Sequence, residues 1–388
     1  MLLDFAYIIL ILIIGYSLPK AISRNFSTND LKTLRQLFFY RLVIALYYCF
    51  FLSGDANRYY NVSRSIGYEE FLTKLTSGNG TYVMEALNYP WSNILGMSYL
   101  ANTLFFSLFG FIAIVLFYLM VLKLIPYNRI LFGTTIFPLI FFLPNIHLWS
   151  VAIGKDTLLF LAVAMFAYAI VFKTRRYLLM MVALLIALMI RPHIVLFLLV
   201  GFGIAAIFSQ KLTSFQRYGL AIALLGGSAI ILPFVLEFIN VESLDAAALS
   251  QRADNQASLL TEDSGSAVDV SSYPFPVKVV TYLYRPLFFD VHSVGSLISS
   301  FDNLFLLVLS FMAFKYKPFE TFKSAPFVAK GFLIFGILGT VAFSTSLGNL
   351  GIMIRMKNMF TPGILIYFLW CYSYQVYNKY VKHGGAPS

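Results

Sequence analysis

Short polar stretches interrupt an otherwise apolar chain, and they hold the side chains able to do chemistry. Arg191-Pro192-His193 is the sharpest of them. A guanidinium can clamp a phosphate through two parallel N–H bonds. The imidazole two residues on titrates near neutral pH and suits a general base. Arg285 and Arg355 repeat the cation in apolar surroundings, and Asp290 and His292 follow Arg285. Gly154-Lys155-Asp156 adds Lys155 and Asp156, and Gly54-Asp55-Ala56-Asn57-Arg58 adds Asp55 and Arg58. Cations beside one or two imidazoles predict an anionic ligand of the phosphate or pyrophosphate class.

Each residue also has a plainer role open to it. An arginine near a membrane surface can snorkel to the head groups. At membrane depth, however, an ionisable group costs roughly 3 kcal/mol on insertion scales and marks function by default. Arg41, near the inner end of its apolar run, is expected to snorkel. His193 can cap or fill a helix, and Lys155-Asp156 can simply open one, with Asp156 favoured at the N-terminus. Gly154-Lys155-Asp156 lacks the glycine-rich run of a phosphate loop, so a nucleotide site is excluded. The histidines and acids show no metal-ligand spacing, and neither metal nor cofactor is expected.

The elements that position these residues follow from composition. The chain has 388 residues, 60% hydrophobic and only 12% charged. A soluble domain carries about 25% charged residues. So large an apolar excess requires lipid as solvent. The formal charge of +11 sits in short loops between apolar runs, which points to membrane orientation rather than nucleic acid. Met1–Ser17 has no basic start and no small-residue cleavage site, and reads as a retained first span.

Apolar runs long enough to cross a bilayer fall near 2–18, 36–53, 93–122, 130–148, 157–172, 177–190, 193–208, 218–239, 296–314, 331–347 and 359–377. The short pair flanking Arg191-Pro192-His193 is either two helices or one broken helix. The fold expected is an all-α polytopic membrane protein of about eleven transmembrane helices. It forms a single domain over 1–388, with outer loops near 54–92 and 240–295.

Loop charges orient it. One alternating set of loops holds Lys20, Arg24, Lys123, Arg176, Lys211, Lys315, Lys323 and Lys379 with few acids. The other holds Asp55, Glu69, Glu85, Asp156, Asp263 and Asp290. The N-terminus is therefore expected outside and the C-terminus in the cytoplasm, with every singled-out stretch at the outer face. A reaction there must use a donor already carried across the membrane, and a lipid-linked pyrophosphate sugar fits.

Leu148-Trp149-Ser150 with Gly154-Lys155-Asp156, then Arg191-Pro192-His193, Arg285-Pro286 and the Arg355 segment, together resemble bacterial O-antigen and exopolysaccharide repeat-unit polymerases (Wzy-like). These are related in architecture to O-antigen ligases. The resemblance covers most of the spans. It implies an outer cavity, metal-independent inverting transfer, and undecaprenyl-pyrophosphate-linked oligosaccharide as the partner in the lipid of the cytoplasmic (inner) membrane. A chain-length regulator or export partner is a further implied partner. On this sequence Arg191 and Arg355 hold pyrophosphate, and His193 deprotonates the acceptor hydroxyl. Arg285, His292, Lys155, Asp156 and Arg58 join the substrate site. The family often places key residues in a large outer loop late in the chain, whereas the loop at 240–295 here precedes Arg355. Two other classes remain open. A glycosyltransferase of the GT-C type using a polyprenyl-phosphate sugar would employ Asp55 as its base. A flippase of lipid-linked oligosaccharide would need charged sites on the inner side as well.

Overall fold

The structure, a computed structural model, describes residues 2–52, 54–125, 136–172, 176–209, 213–239, 268, 270, 272–315 and 318–382. The chain divides into two compact units, Met1–Met120 with Phe141–Arg191, and Val121–Ile140 with Pro192–Ser388.

The first unit opens with α1 (Leu2–Ile22) and α2 (Thr28–Phe51). A reciprocal cap starts α2: Ser27 Oγ accepts from the Asp30 N–H at 3.1 Å, and Asp30 Oδ2 accepts from the Ser27 N–H at 3.0 Å. The expected loop at 54–92 is instead three short helices, α3 (Asp55–Ser65), α4 (Tyr68–Leu75) and α5 (Gly80–Tyr89). Glycine or asparagine precedes each of them, and Asn79 caps α5 by accepting from the Thr81 N–H. The long apolar α6 (Tyr99–Leu124) follows.

The expected span at 130–148 is not a continuous helix. Residues 130–135 lie outside the described residues. The rest breaks into α7 (Ile136–Leu139), a 3-10 turn at Ile140–Phe142 and α8 (Pro144–Leu148). Phe137, held at φ −88° and ψ 129°, precedes Pro138, and Leu143, at ψ 121°, precedes Pro144. A proline pushes the residue before it out of the helical region, so apolar composition alone does not show the break.

Helices α9 (Lys155–Val171) and α10 (Tyr177–Ile190) complete the first unit. Arg191 ends α10 with φ −150° and ψ 91°. The chain restarts at Pro192, whose fixed φ suits the first turn of a helix but not its interior. The pair is thus two helices, with Arg191 at the break.

The second unit holds α11 (Pro192–Ile207), α12 (Ser214–Ile239), α13 (Phe275–Tyr284), α14 (Val294–Lys315), α15 (Pro318–Ser324), α16 (Phe327–Ser346), α17 (Leu350–Lys357) and α18 (Thr361–Lys382). Glycines let α11 and α16 approach closely. A Cβ on Gly201 would stand 2.9 Å from the Phe335 nitrogen, and one on Gly331 would stand 2.7 Å from the Phe202 ring. Small residues do this where lipid removes the hydrophobic drive between helices.

Every expected span but 130–148 overlaps a long helix over most of its described length. Among the described residues, 6 helices are long and apolar enough to cross a membrane: α1, α2, α6, the Ser214–Pro233 part of α12, α14 and α16. Outward faces agree with lipid contact, as Ile222, Leu225 and Ile230 of α12 are each over 70% exposed. Most of the acid-rich stretch 240–272, including Asp263, lies outside the described residues.

Candidate functional site

In the first unit three of the expected site residues converge. The first turn of α5 packs on two helix ends at once: Gly80 lies against the Ile190 carbonyl, where no side chain fits, and Thr81 Oγ1 accepts from Lys155 Nζ at 2.7 Å. Lys155 and Asp156 are the first two residues of α9, after Gly154. Arg191 Nη1 then donates to Asp156 Oδ1 at 3.1 Å, with the two side chains 11% and 8% exposed. The start of α9, the end of α10 and the start of α5 thus form one junction of Lys155, Asp156, Arg191 and Thr81. Asp156 orients the guanidinium, and its position in the first turn suits a carboxylate.

One turn along α5, Glu85 is fully buried. Lys74 Nζ donates to its Oε2 at 2.7 Å, and Arg58 Nε stands 3.7 Å from its Oε1. Burial lowers the Lys74 pKa, but the hydrogen bond and charge of Glu85, with Glu70 beside it, more than offset this and hold it above the ordinary lysine value. Arg58 is mostly exposed, so its contact is peripheral. Asp55 is exposed at the first position of α3. Neither Thr81 nor Glu85 stands out as a site residue in the sequence, because neither type is unusual in an outer loop; only the folding of that loop into helices makes them neighbours of Lys155 and Lys74.

Arg41 corrects the expectation of snorkelling. It is wholly buried, not at head groups. Its Nε donates to the Ser107 carbonyl at 2.8 Å, its Nη1 to Ser150 Oγ at 3.0 Å, and its Nη2 to the Ser150 carbonyl. Gly110 leaves the space, since a Cβ there would strike Arg41 Nη2. The Leu148-Trp149-Ser150 stretch is therefore fixed to α2 by a buried guanidinium. His147 is buried beside it, with Nε2 2.7 Å from the Phe141 carbonyl.

In the second unit, Arg285 and Asp290 form a two-pronged pair, Nη2 to Oδ1 at 2.6 Å and Nε to Oδ2 at 3.1 Å. Asp290 Oδ2 also accepts from the Leu287 N–H at 2.9 Å, which closes the turn after α13. Lys357, at the end of α17, is buried. Its Nζ donates to Asn303 Oδ1 at 2.5 Å and to the Leu283 carbonyl at 2.9 Å, while Asn303 Nδ2 donates to the Pro286 carbonyl at 2.8 Å. Asn303 is mid-way along the 22 residues of α14. Lys357 therefore meets the middle of a candidate span. Carbonyls left open at the end of α13 are satisfied in this way.

His193, in the first turn of α11, is 9% exposed, its ring 5.6 Å from Phe343 and 5.9 Å from Phe197. Arg355 is half-buried on α17. His292 is exposed, with its Nδ1 3.0 Å from the Asp290 carbonyl. Arg191 belongs to the first unit, whereas His193, Arg285, His292 and Arg355 belong to the second. No group of His, Cys, Asp or Glu with metal-binding geometry occurs among the described residues.

Comparison of the chain with protein-family models, with curated proteins and with solved structures gives no match.

Proposed function

We propose that the protein is a glycosyltransferase that polymerises lipid-linked oligosaccharide repeat units at the outer face of the cytoplasmic (inner) membrane. The observation that carries this reading is the junction of Lys155, Asp156 and Arg191, expected site residues from two separate segments brought within hydrogen-bonding reach. The alternation of loop charge supports the sidedness, with the N-terminus outside, the C-terminus inside and about eleven crossings of the bilayer. The broken stretch 136–148 counts as one of those crossings.

In this reading an acceptor-sugar hydroxyl attacks the anomeric carbon of the donor sugar. The new C–O bond forms as the bond to pyrophosphate breaks, and the electron pair leaves with the pyrophosphate. His193 takes the hydroxyl proton. Arg191, oriented by Asp156, and Lys155 stabilise the charge that grows on the leaving group. Arg355 adds donor affinity, and Arg285, Arg58 and His292 complete the substrate-binding set.

The test is deletion of the gene followed by a gel of surface polysaccharide, with complementation by the wild type and by Arg191→Lys. Single repeat units in place of long chains support a polymerase. Loss of all surface polysaccharide points instead to a flippase. A GT-C glycosyltransferase is the second reading, favoured by the exposed carboxylate of Asp55 in the first outer segment. An Asp55→Asn protein that is inactive, beside a fully active His193→Ala protein, would select it.

A further inference from the structure

An apolar groove of about 420 Å³ runs through the second unit between α13, α14, α16 and α18, within the usual range for small-ligand sites of ~300–1,000 Å³. Its floor includes Leu306, Ser310, Thr340, Tyr367 and Cys371, all nearly inaccessible. Two floor hydroxyls are turned back on their own helices: Ser310 Oγ donates to the Leu306 carbonyl at 2.8 Å, and Thr340 Oγ1 to the Gly336 carbonyl at 2.7 Å. A trough lined almost wholly by apolar side chains has little to hold water, and apolar cavities of this kind stay dry. Its rim is open. Phe275, Phe314, Ile337 and Val341 are each more than 40% exposed. Since α14 and α16 are candidate spans, hydrocarbon is what reaches this rim.

One end of the groove identifies the molecule. Phe314 and Pro318 line that end. Lys315 follows Phe314 directly and is exposed, as is Lys323 at the end of α15. Lys330 Nζ is tied to the Lys323 carbonyl at 2.9 Å. The segment 315–330 carries Lys315, Lys317, Lys323 and Lys330 against the single acid Glu320. An apolar slot that ends in excess positive charge complements an anionic amphiphile with its head at the lysines and one chain in the slot. We propose that this groove is a binding site for an anionic phospholipid of the leaflet on the Lys315 side. This inference is independent of the enzymatic reading, because it needs only that α14, α16 and α18 lie in lipid.

The experiment reconstitutes the full-length protein in vesicles of equal parts phosphatidylglycerol and phosphatidylcholine. The protein is then extracted in mild detergent, and the retained lipid is identified by native mass spectrometry. Wild type is expected to retain phosphatidylglycerol in preference to phosphatidylcholine. Ile337→Trp, which fills the rim, is expected to lose retention of both; Val341→Trp serves if that variant does not fold. Lys315→Gln and Lys323→Gln are expected to keep a lipid but to lower the preference by roughly fivefold each. Three results would overturn the proposal. The first is a wild type that retains no lipid. The second is a preference unchanged by the rim and lysine variants. The third is displacement of phosphatidylglycerol by added polyprenyl phosphate, which would give the groove to the glycosyl donor instead.

Discussion

Arg191 Nη1 lies 3.1 Å from Asp156 Oδ1, and the pair joins the end of α10 to the first turn of α9. Both side chains are about nine-tenths buried, so the bond is more than a surface ion pair. Losing one partner of such a pair costs ~3–5 kcal/mol, because the other charge loses a buried counter-charge. Arg191→Ala and Asp156→Ala should each lower the thermal midpoint of the purified protein. A double apolar variant, Asp156→Leu with Arg191→Met, should recover most of that loss yet make no polymer. Recovery of polymer synthesis in the double variant would reduce the pair to a structural tie. Arg191→Lys should fold and still lose at least about tenfold in polymer yield, since an ammonium cannot make the bidentate contact.

Lys74 and Glu85 give a pH prediction. The Lys74 pKa is raised in the folded protein, so the pair contributes stability that is fully present below the ordinary lysine value of 10.5. That stability is lost as pH rises through the higher folded value. Thermal midpoints measured between pH 9 and 12 should fall more steeply for wild type than for Lys74→Met. Parallel curves would remove the linkage.

Arg41 is tied to α6 and to Ser150 at no exposure to solvent or lipid. Arg41→Ala should cost at least about 3 kcal/mol, as buried Ser107 and Ser150 lose their partner and a cavity opens. Gly110→Val should be as damaging, because its side chain would occupy the place of the guanidinium. The amount of folded protein recovered from membranes reads both. Wild-type recovery of either variant would show that this cluster is dispensable.

His193 sits among aromatic rings in the first turn of α11. His193→Ala should keep donor-lipid affinity within about twofold while turnover falls at least a hundredfold, the usual size of a general-base contribution. Arg355→Ala should show the opposite split, with weaker donor binding. Binding of a labelled donor lipid and single-turnover polymer synthesis separate the two.

Sidedness is open to direct labelling. Single cysteines at Ser77 and at Ser324, both exposed, should differ toward an impermeant thiol reagent on intact cells. Ser77→Cys should react and Ser324→Cys should not. The reverse pattern would invert the orientation.

Much of the helical skeleton follows from sequence alone, because lipid demands that each crossing satisfy its own backbone hydrogen bonds. Composition then fixes where the helices run, and Ser27 with Asp30 or Pro192 fixes where individual ones begin. Those signals are local. They fail at 136–148, where the apolar run is correct but Pro138 and Pro144 break the helix. Arg41 shows the larger limit. A lone arginine near the end of an apolar run looks the same in sequence whether it reaches head groups or is buried, and Gly110 and Ser150, far along the chain, decide it. The candidate site divides in the same way. Residue type made Lys155, Asp156 and Arg191 visible one at a time. Their meeting, and the part taken by Thr81 and Glu85, depends on the chain at 55–89 folding into helices whose first turn at Gly80 rests on Ile190. That contact is long-range, and no local pattern encodes it.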